Sequence, residues 1–265
     1  MLLPLKNRRV YYDLAGPEKG PVVVFGHSLA ADSGMWAEQM PALFEAGFQA
    51  LRIDMRGHGG TDAVPGDYTM AQLGDDVAEV TEALGIRRFH FVGLSIGGMF
   101  GQWLGIKHGA RLQSLVLCDT NPGAAPNARD VWGPRIETVK KANSLQPIAE
   151  ETMKRWFSDK FRQSQAARWK AIHDTVAATT PQGYIGCAAA IMGFNYRDQH
   201  KSIKTPTLCI CGTLDPGGGP ATTKPIADAV PGAKYEEIPD ALHLPNVERP
   251  DVFNRILIGW LKAQR

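Results

Sequence analysis

The stretch FVGLSIGGM (91–99) holds one serine, Ser95, with Gly93 before it and Gly97 and Gly98 after it. An apolar run that stops at a serine and continues as a helical pattern describes a strand-to-helix turn, sharp enough to hold the hydroxyl above a sheet edge. Such a turn brings backbone so close that a β-carbon would collide, which accounts for Gly93 and Gly97, while Gly98 lets the helix approach its surroundings. The first helical N–H, that of Ile96, faces any negative charge that develops on a carbonyl attacked by the serine. The chemistry implied is nucleophilic acyl transfer.

A hydroxyl is a weak nucleophile and needs a base. Of the seven histidines, His243 in EEIPDALHLPNVERPDVF lies after the last strand-like run and before the C-terminal helical pattern. A sheet with this kind of turn offers nucleophile, acid and base in that chain order, so His243 is the expected base. A carboxylate must then fix its tautomer and stabilise the imidazolium. Asp215 ends TPTLCICGTLDP, 28 residues before His243, and is the preferred acid; Asp119, ending LVLCDT beyond another strand-like run, is its rival. Asp240 reads as a loop carboxylate. The second oxyanion donor is expected in the loop of VVVFGHSLAA, at the Leu29 N–H, with His27 organising the turn. Arg56 and His58 in DMRGHGGTD (54–62) are expected to hold loops together.

These residues require a scaffold that ends several strands at one place. Apolar runs at 21–27, 48–54, 88–94, 112–120, 205–213 and 234–239 read as strands, several of them continuously apolar, as parallel strands covered on both faces should be. Helical patterns at 35–47, 69–85, 97–109, 221–230 and 251–264 alternate with them, Thr69 standing at a cap position. This alternation implies a mostly parallel central sheet flanked by helices. RRVYYDLAG near the N-terminus reads as an additional antiparallel edge strand. Between Asn121 and Lys204 only helical patterns occur, implying a helical insertion over the C-terminal edge of the sheet.

Composition narrows the alternatives. With 265 residues, 44% hydrophobic and 21% charged, the chain can build a sizeable core, and a net charge of +2 with mixed signs points to neither nucleic acid nor an anionic membrane. No apolar run approaches the roughly 20 residues of a membrane span, and the first residues lack the order of a secretory signal. Cys118, Cys187, Cys209 and Cys211 show no zinc-like pairing and read as reduced structural thiols of a cytoplasmic protein.

The ordered set GHSL, DMRGHGGTD, GLSIGG, GTLDP and ALHLPNVERP resembles the α/β-hydrolase superfamily across essentially the whole chain. SLAADSGMW, YTMAQLGDDV, GLSIGGMFGQWL, LVLCDT, RWF and TPQGYIGCAAAI resemble its 3-oxoadipate enol-lactonase group, whose members hydrolyse a small enol-lactone without a cofactor. The resemblance implies a single α/β-hydrolase domain with a core at 1–120 and 205–265 and a helical cap inserted after strand six, at about 121–204. It implies a triad of Ser95, Asp215 and His243, with Leu29 and Ile96 as oxyanion donors. A serine at position 95 disfavours the superfamily members that use an aspartate nucleophile. HSLAAD, where enol-lactonases often read NSLGTD, alters the oxyanion loop, and PGGGPAT after the acid reads as a loose segment.

The cap is expected to roof the site. Trp132, Met153, Trp156, Phe157 and Met192 are the candidate pocket residues, and Arg135, Lys154 and Arg155 could provide a cation for a substrate carboxylate. The expected partner is a small ester or lactone, with no metal, nucleic acid or membrane, in a monomer or homodimer. A general carboxylesterase, a lactonase for other rings, a carbon–carbon bond hydrolase and a non-catalytic ligand receptor are the alternatives, the last requiring a broken triad.

Overall fold

The computed structural model describes all 265 residues. Its strands are β1 (Leu2–Pro4), β2 (Arg9–Ala15), β3 (Val22–Gly26), β4 (Gln49–Ile53), β5 (Phe89–Leu94), β6 (Leu112–Cys118), β7 (Thr207–Gly212) and β8 (Lys234–Ile238). They form one sheet in the order β1-β2-β4-β3-β5-β6-β7-β8. From β4 to β8 every pairing is parallel, while β2 runs antiparallel to β4. The expected antiparallel strand near the N-terminus is therefore present but is not the edge. The three residues of β1 pair outside it, too short a run to carry a period-two signal.

Every residue of β5 and β7 is buried, as the continuous apolar runs require. Helices α2 (Met70–Ala83), α3 (Ile96–Lys107), α9 (Pro220–Ala229) and α11 (Pro250–Ala263) cover the sheet. Helix α11 buries Phe253, Leu257 and Leu261, spaced four apart on one stripe. Thr69 caps α2 reciprocally: its hydroxyl accepts the Gln72 N–H at 3.1 Å and its own N–H donates to the Gln72 side chain at 2.9 Å. The segment expected as one helix at 35–47 is instead a 3-10 stretch, Ser33–Gln39, followed by α1, Met40–Glu45. Pro41, with no N–H to donate, stands at the start of α1 and separates the two.

Between β6 and β7 the chain forms five helices, α4 (Ala128–Ala142), α5 (Gln146–Trp156), α6 (Asp159–Ser164), α7 (Ala166–Ala178) and α8 (Pro181–Gly193), and its only ladder contact is the Gly123–Asn195 bridge. Ser158 separates α5 from α6 by accepting the Phe161 N–H at 3.2 Å, so the pattern at 148–161 becomes two helices. The short helix α10 (Pro245–Glu248) follows the loop after β8. All four cysteines are unpaired and buried. No helix is long and apolar enough to cross a membrane.

Candidate active site

Ser95 sits between β5 and α3 with φ +58° and ψ −119°, a strained backbone for any residue with a side chain. Its N–H donates to Cys118 O at 2.9 Å, and its carbonyl accepts the Thr120 hydroxyl at 2.8 Å and the Met99 N–H at 3.0 Å. The strain is held by these bonds. A β-carbon on Gly93 would lie 2.2 Å from Gly97 O, and one on Gly97 would lie 2.3 Å from Gly26 O. The glycines are close-approach positions, as the sequence implied.

Asp215 lies beyond β7 and His243 beyond β8; His243 Nδ1 donates to Asp215 Oδ2 at 2.7 Å. The Gly217 and Gly218 N–H groups also donate to this carboxylate, each at 2.8 Å. Burial alone would raise the Asp215 pKa, but the His243 pairing and the two N–H donors outweigh it and hold the group below the usual carboxylate range. PGGGPAT is thus not loose. A β-carbon on Gly218 would meet Asp119 O at 2.0 Å, and one on Gly219 would meet Asp215 O at 2.3 Å.

Asp119 is fully buried beside this pair. Its Oδ1 accepts the Gly212 N–H at 2.9 Å, and its Oδ2 has no partner. Burial and the neighbouring Asp215 push its pKa well above the ordinary value, which favours the neutral acid. The carboxylate bound to His243 is therefore that of Asp215. Asp240, also with positive φ, is exposed.

The loop after β3 is fixed by two buried histidines. A carbonyl can only accept, so His27 Nδ1 donates to Ser28 O at 2.8 Å, leaving Nε2 to accept the Met55 N–H at 2.9 Å. His58 repeats the arrangement, donating from Nδ1 to Arg56 O at 2.9 Å and accepting the Ala30 N–H on Nε2 at 3.1 Å. Both rings are neutral in this network. Burial lowers the His27 pKa, and burial together with His27 lowers that of His58 to about 3. Between these anchors the Leu29 N–H makes no hydrogen bond within the chain, and Ala30 takes φ +64°. The Ile96 N–H, first in its helix, is likewise unpartnered. Arg56 grips Asp76 of α2 with two bonds of 2.5 and 2.7 Å, so DMRGHGGTD ties loops to the scaffold.

Above these groups lies a cavity of about 520 Å³ whose walls include Ser95, Asp215 and His243, together with Ser28, Leu29 and Ala30. Trp132 and Trp156 line it, as do Arg135 and Arg155. Met153, Phe157 and Met192 do not. Along α5, Thr152, Arg155 and Trp156 share the cavity face at spacings of three and four, which turns Met153 into the core, where it is fully buried. Phe157 stacks on Phe161 with ring centroids 4.5 Å apart. Along α8, Tyr184 and Ile191, seven apart, face the cavity, and Met192 is rotated away. Lys154 is exposed and pairs with Glu151 at 3.8 Å. Arg135 and Arg155, two of the three candidate cations, therefore reach the cavity, while Thr152, one turn before Trp156, was not singled out by its sequence context.

Glu248 was not singled out by its sequence context. Its carboxylate accepts the Leu242 N–H at 2.8 Å and the Ser158 N–H at 3.0 Å, joining the His243 loop to the inserted helices. The Trp156 and His243 rings lie 6.3 Å apart across the same junction.

The chain is similar to known hydrolases over nearly its full length. Residues 21–250 match the family described as alpha/beta hydrolase fold. It is 34% identical to 3-oxoadipate enol-lactonase 1 of Acinetobacter baylyi, over 99% of this chain and 97% of that protein. The crystal structure of the enol-lactonase from Burkholderia xenovorans LB400 superposes with a TM-score of 0.94 at 32% identity, covering 99% of this chain and all of that one. A thermophilic esterase from Thermogutta terrifontis gives 0.90 at 26% identity, over 97% and 94% of the two chains. With its sheet order, its strand-end site and these similarities, the chain belongs to the α/β-hydrolase fold family.

Proposed function

We propose that this hydrolase opens a small lactone, or cleaves an ester, through an acyl-enzyme on Ser95, in the manner of a 3-oxoadipate enol-lactonase. The observation that carries the reading is the strained Ser95 turn sharing one cavity with the His243–Asp215 pair. In the reaction, His243 Nε2 takes the Ser95 proton as Oγ attacks the carbonyl, and Asp215 holds the ring with Nδ1–H toward itself and stabilises the imidazolium. The N–H groups of Leu29 and Ile96 receive the oxyanion; each is without another acceptor, and the first is held by the histidine-anchored loop. Collapse expels the enolate or alkoxide, which His243 protonates. In a lactone this leaving group stays tethered to the acyl chain and must swing aside before His243 deprotonates water for the second attack. Every step uses water and groups of this chain.

The relatives support the lactone and ester classes: two proteins similar to this one over nearly its whole length are named enol-lactonases, and another is an esterase. The four buried, unpaired thiols fit a reducing compartment, and we place the reaction in the cytoplasm on that basis. The test is a panel of enol-lactones, saturated lactones and short esters compared by kcat/KM, together with mass spectrometry of the protein after a fluorophosphonate. A Ser95-dependent adduct with preference for the enol-lactone is expected. A preference for open esters would assign a carboxylesterase, and adduct formation independent of Ser95 would overturn the mechanism.

A further inference from the structure

The turn that presents the Leu29 N–H is held from two sides, and part of the hold comes from the inserted helices. Ser28 O accepts the His27 ring N–H at 2.8 Å and the Ala31 N–H at 3.1 Å. These bonds close a four-residue turn and, across the planar peptide, direct the Leu29 N–H away from them. Ala30, third in the turn, takes φ +64°, in the region that favours glycine. An alanine stays there only where its surroundings over-determine it. The Ala30 N–H is bound by His58, and the Ala30 carbonyl accepts the Thr179 hydroxyl at 3.2 Å, from the end of α7.

The Thr179 hydroxyl has one proton and a second carbonyl within reach, Thr175 O at 3.1 Å. Thr175 O already accepts the Thr179 N–H, whereas Ala30 is buried and its carbonyl receives no other hydrogen bond. Leaving a buried carbonyl unsatisfied is the costlier outcome, so the proton goes to Ala30 O. Thr180 grips the neighbouring loop: its hydroxyl donates to Gly57 O at 2.7 Å and accepts the Gly183 N–H at 3.1 Å. A β-carbon on Gly57 would lie 2.5 Å from the Gly183 α-carbon, so the start of α8 packs backbone against backbone there. Gly57 stands between Arg56, whose carbonyl accepts His58 Nδ1, and His58 itself. Thr179 thus holds one side of Ala30 directly, and Thr180 holds the other through His58. Pro181 keeps Thr180 extended, at ψ 137°, which ends α7 and sets both threonines against the loops.

We infer that Thr179, seconded by Thr180, is a positioning residue for the Leu29 oxyanion donor: the junction of α7 and α8 clamps the 28–31 turn, so the inserted helices set the reacting end of the site as well as roofing it. The inference rests on reading Leu29 and Ile96 as the oxyanion donors of a Ser95 hydrolase. Neither threonine lines the cavity, so both act on the reaction only through the turn. The clamp therefore serves the transition state, in which the oxyanion has formed, more than the bound substrate.

Two variants test it, Thr179→Val, which keeps the shape without the hydroxyl, and Thr179→Ser, which keeps the hydroxyl. Thr179→Val should lower kcat about three- to tenfold with KM unchanged, less than loss of a whole oxyanion donor, and Thr179→Ser should retain the wild-type value. Inhibition by a trifluoromethyl alkyl ketone, whose adduct with Ser95 places an oxyanion in the site, should weaken by the same factor. Inhibition by the corresponding methyl ketone should not change, and neither constant depends on how much protein is folded. Thr180→Ala should move both readings in the same direction by less, and carries the test if Thr179→Val does not fold. Amide exchange followed by mass spectrometry on the whole protein needs no turnover. Residues 28–31 should exchange about tenfold faster in Thr179→Val, with 93–99 as in the wild type. An unchanged kcat, equal weakening of the two ketones, or exchange at 28–31 no faster than in the wild type overturns the clamp. A turn loosened by Thr179→Val, in a protein whose wild type cleaves no ester or lactone, leaves the clamp standing and removes the hydrolase reading instead.

Discussion

The floor and the roof of the cavity are built differently. On the floor, backbone and buried partners fix each group: Ser95 by Cys118, Thr120 and Met99, Asp215 by two glycine N–H groups, and the Leu29 loop by His27 and His58. On the roof, Arg135 and the Tyr184 hydroxyl have no hydrogen-bond partner within the chain, and the tryptophans are held by packing. Bond formation requires atoms placed to within fractions of an ångström, which a strand end supplies. Selection requires side chains still able to form bonds, which helix faces supply. Floor substitutions should therefore lower turnover of every substrate alike, and roof substitutions should change the ranking of substrates.

The sharpest break between the two is Ser95→Ala. Activity toward all substrates should fall by about 10⁴- to 10⁶-fold, as loss of a nucleophile does in triad hydrolases. The thermal midpoint should shift by only a few degrees, because the Ser95 hydroxyl makes no hydrogen bond within the chain and the turn is held through its backbone. Kinetics and a melting curve on the same preparation check both halves. Substantial turnover in this variant would remove the floor from the mechanism.

Next in size is the contrast between the two acids. Asp215→Asn should lower kcat by about 10⁴-fold, since the amide no longer fixes the required tautomer. Asp119→Asn keeps the acceptor for the Gly212 N–H and should leave activity within about threefold. Its effect is on stability. The folded-state pKa of Asp119 is raised, so its contribution to stability is complete below the ordinary carboxylate value, near pH 4, and is lost as pH rises toward the raised one. Asparagine does not ionise. Its stability advantage should be absent near pH 4 and grow toward pH 8, as denaturant melts at the two pH values would show. An inactive Asp119→Asn protein of normal stability would move the acid to Asp119.

This contrast also marks what could be read from the sequence. The serine turn was legible because its sterics are local, a serine among glycines at a strand end, whereas two aspartates follow buried strands and only the fold pairs Asp215, not Asp119, with His243. The glycines after Asp215 were misread because their purpose lies across the chain, where Gly218 packs against Asp119. On the roof, apolar residues at 153, 157 and 192 looked like pocket walls. Which face of a helix looks into the cavity depends on how α4, α5 and α8 dock, and composition holds no record of that. The three-residue β1 and the Glu248 bridge were missed for the same reason, being defined only by distant partners.

A roof pair sharpens the comparison at about tenfold. Trp132 lines the cavity and Met192 does not. Trp132→Ala should raise KM about tenfold with kcat within a few-fold, because a large apolar contact is lost from bound substrate and transition state alike. Met192→Ala should leave KM unchanged. Steady-state kinetics on two substrates of different size decides it, and equal effects of the two substitutions would refute the assignment of helix faces.

A smaller effect than that of Trp132→Ala is expected at His58, where the floor is held at one remove from the chemistry. His58→Asn removes the imidazole acceptor for the Ala30 N–H and the donor to Arg56 O, a loss of about 1–3 kcal/mol if Ala30 is left unsatisfied. Slackening of the Leu29 loop should appear as a few-fold fall in kcat with little change in KM, since an oxyanion donor acts mainly in the transition state. The pH dependence of stability distinguishes this from simple damage. In the folded wild type the His58 pKa is lowered to about 3, whereas an unfolded histidine titrates near 6.5. Above about pH 6.5 neither state binds the proton and the full contribution of the neutral ring is present. Between there and about pH 3 only the unfolded state is protonated, so stability falls as pH falls. Asparagine cannot take the proton, and the acid slope should become shallower by one proton over that window. The variant should thus be less stable than wild type at pH 8 and closer to it at pH 4. A slope unchanged from wild type would mean that His58 is not the neutral clamp of the oxyanion loop.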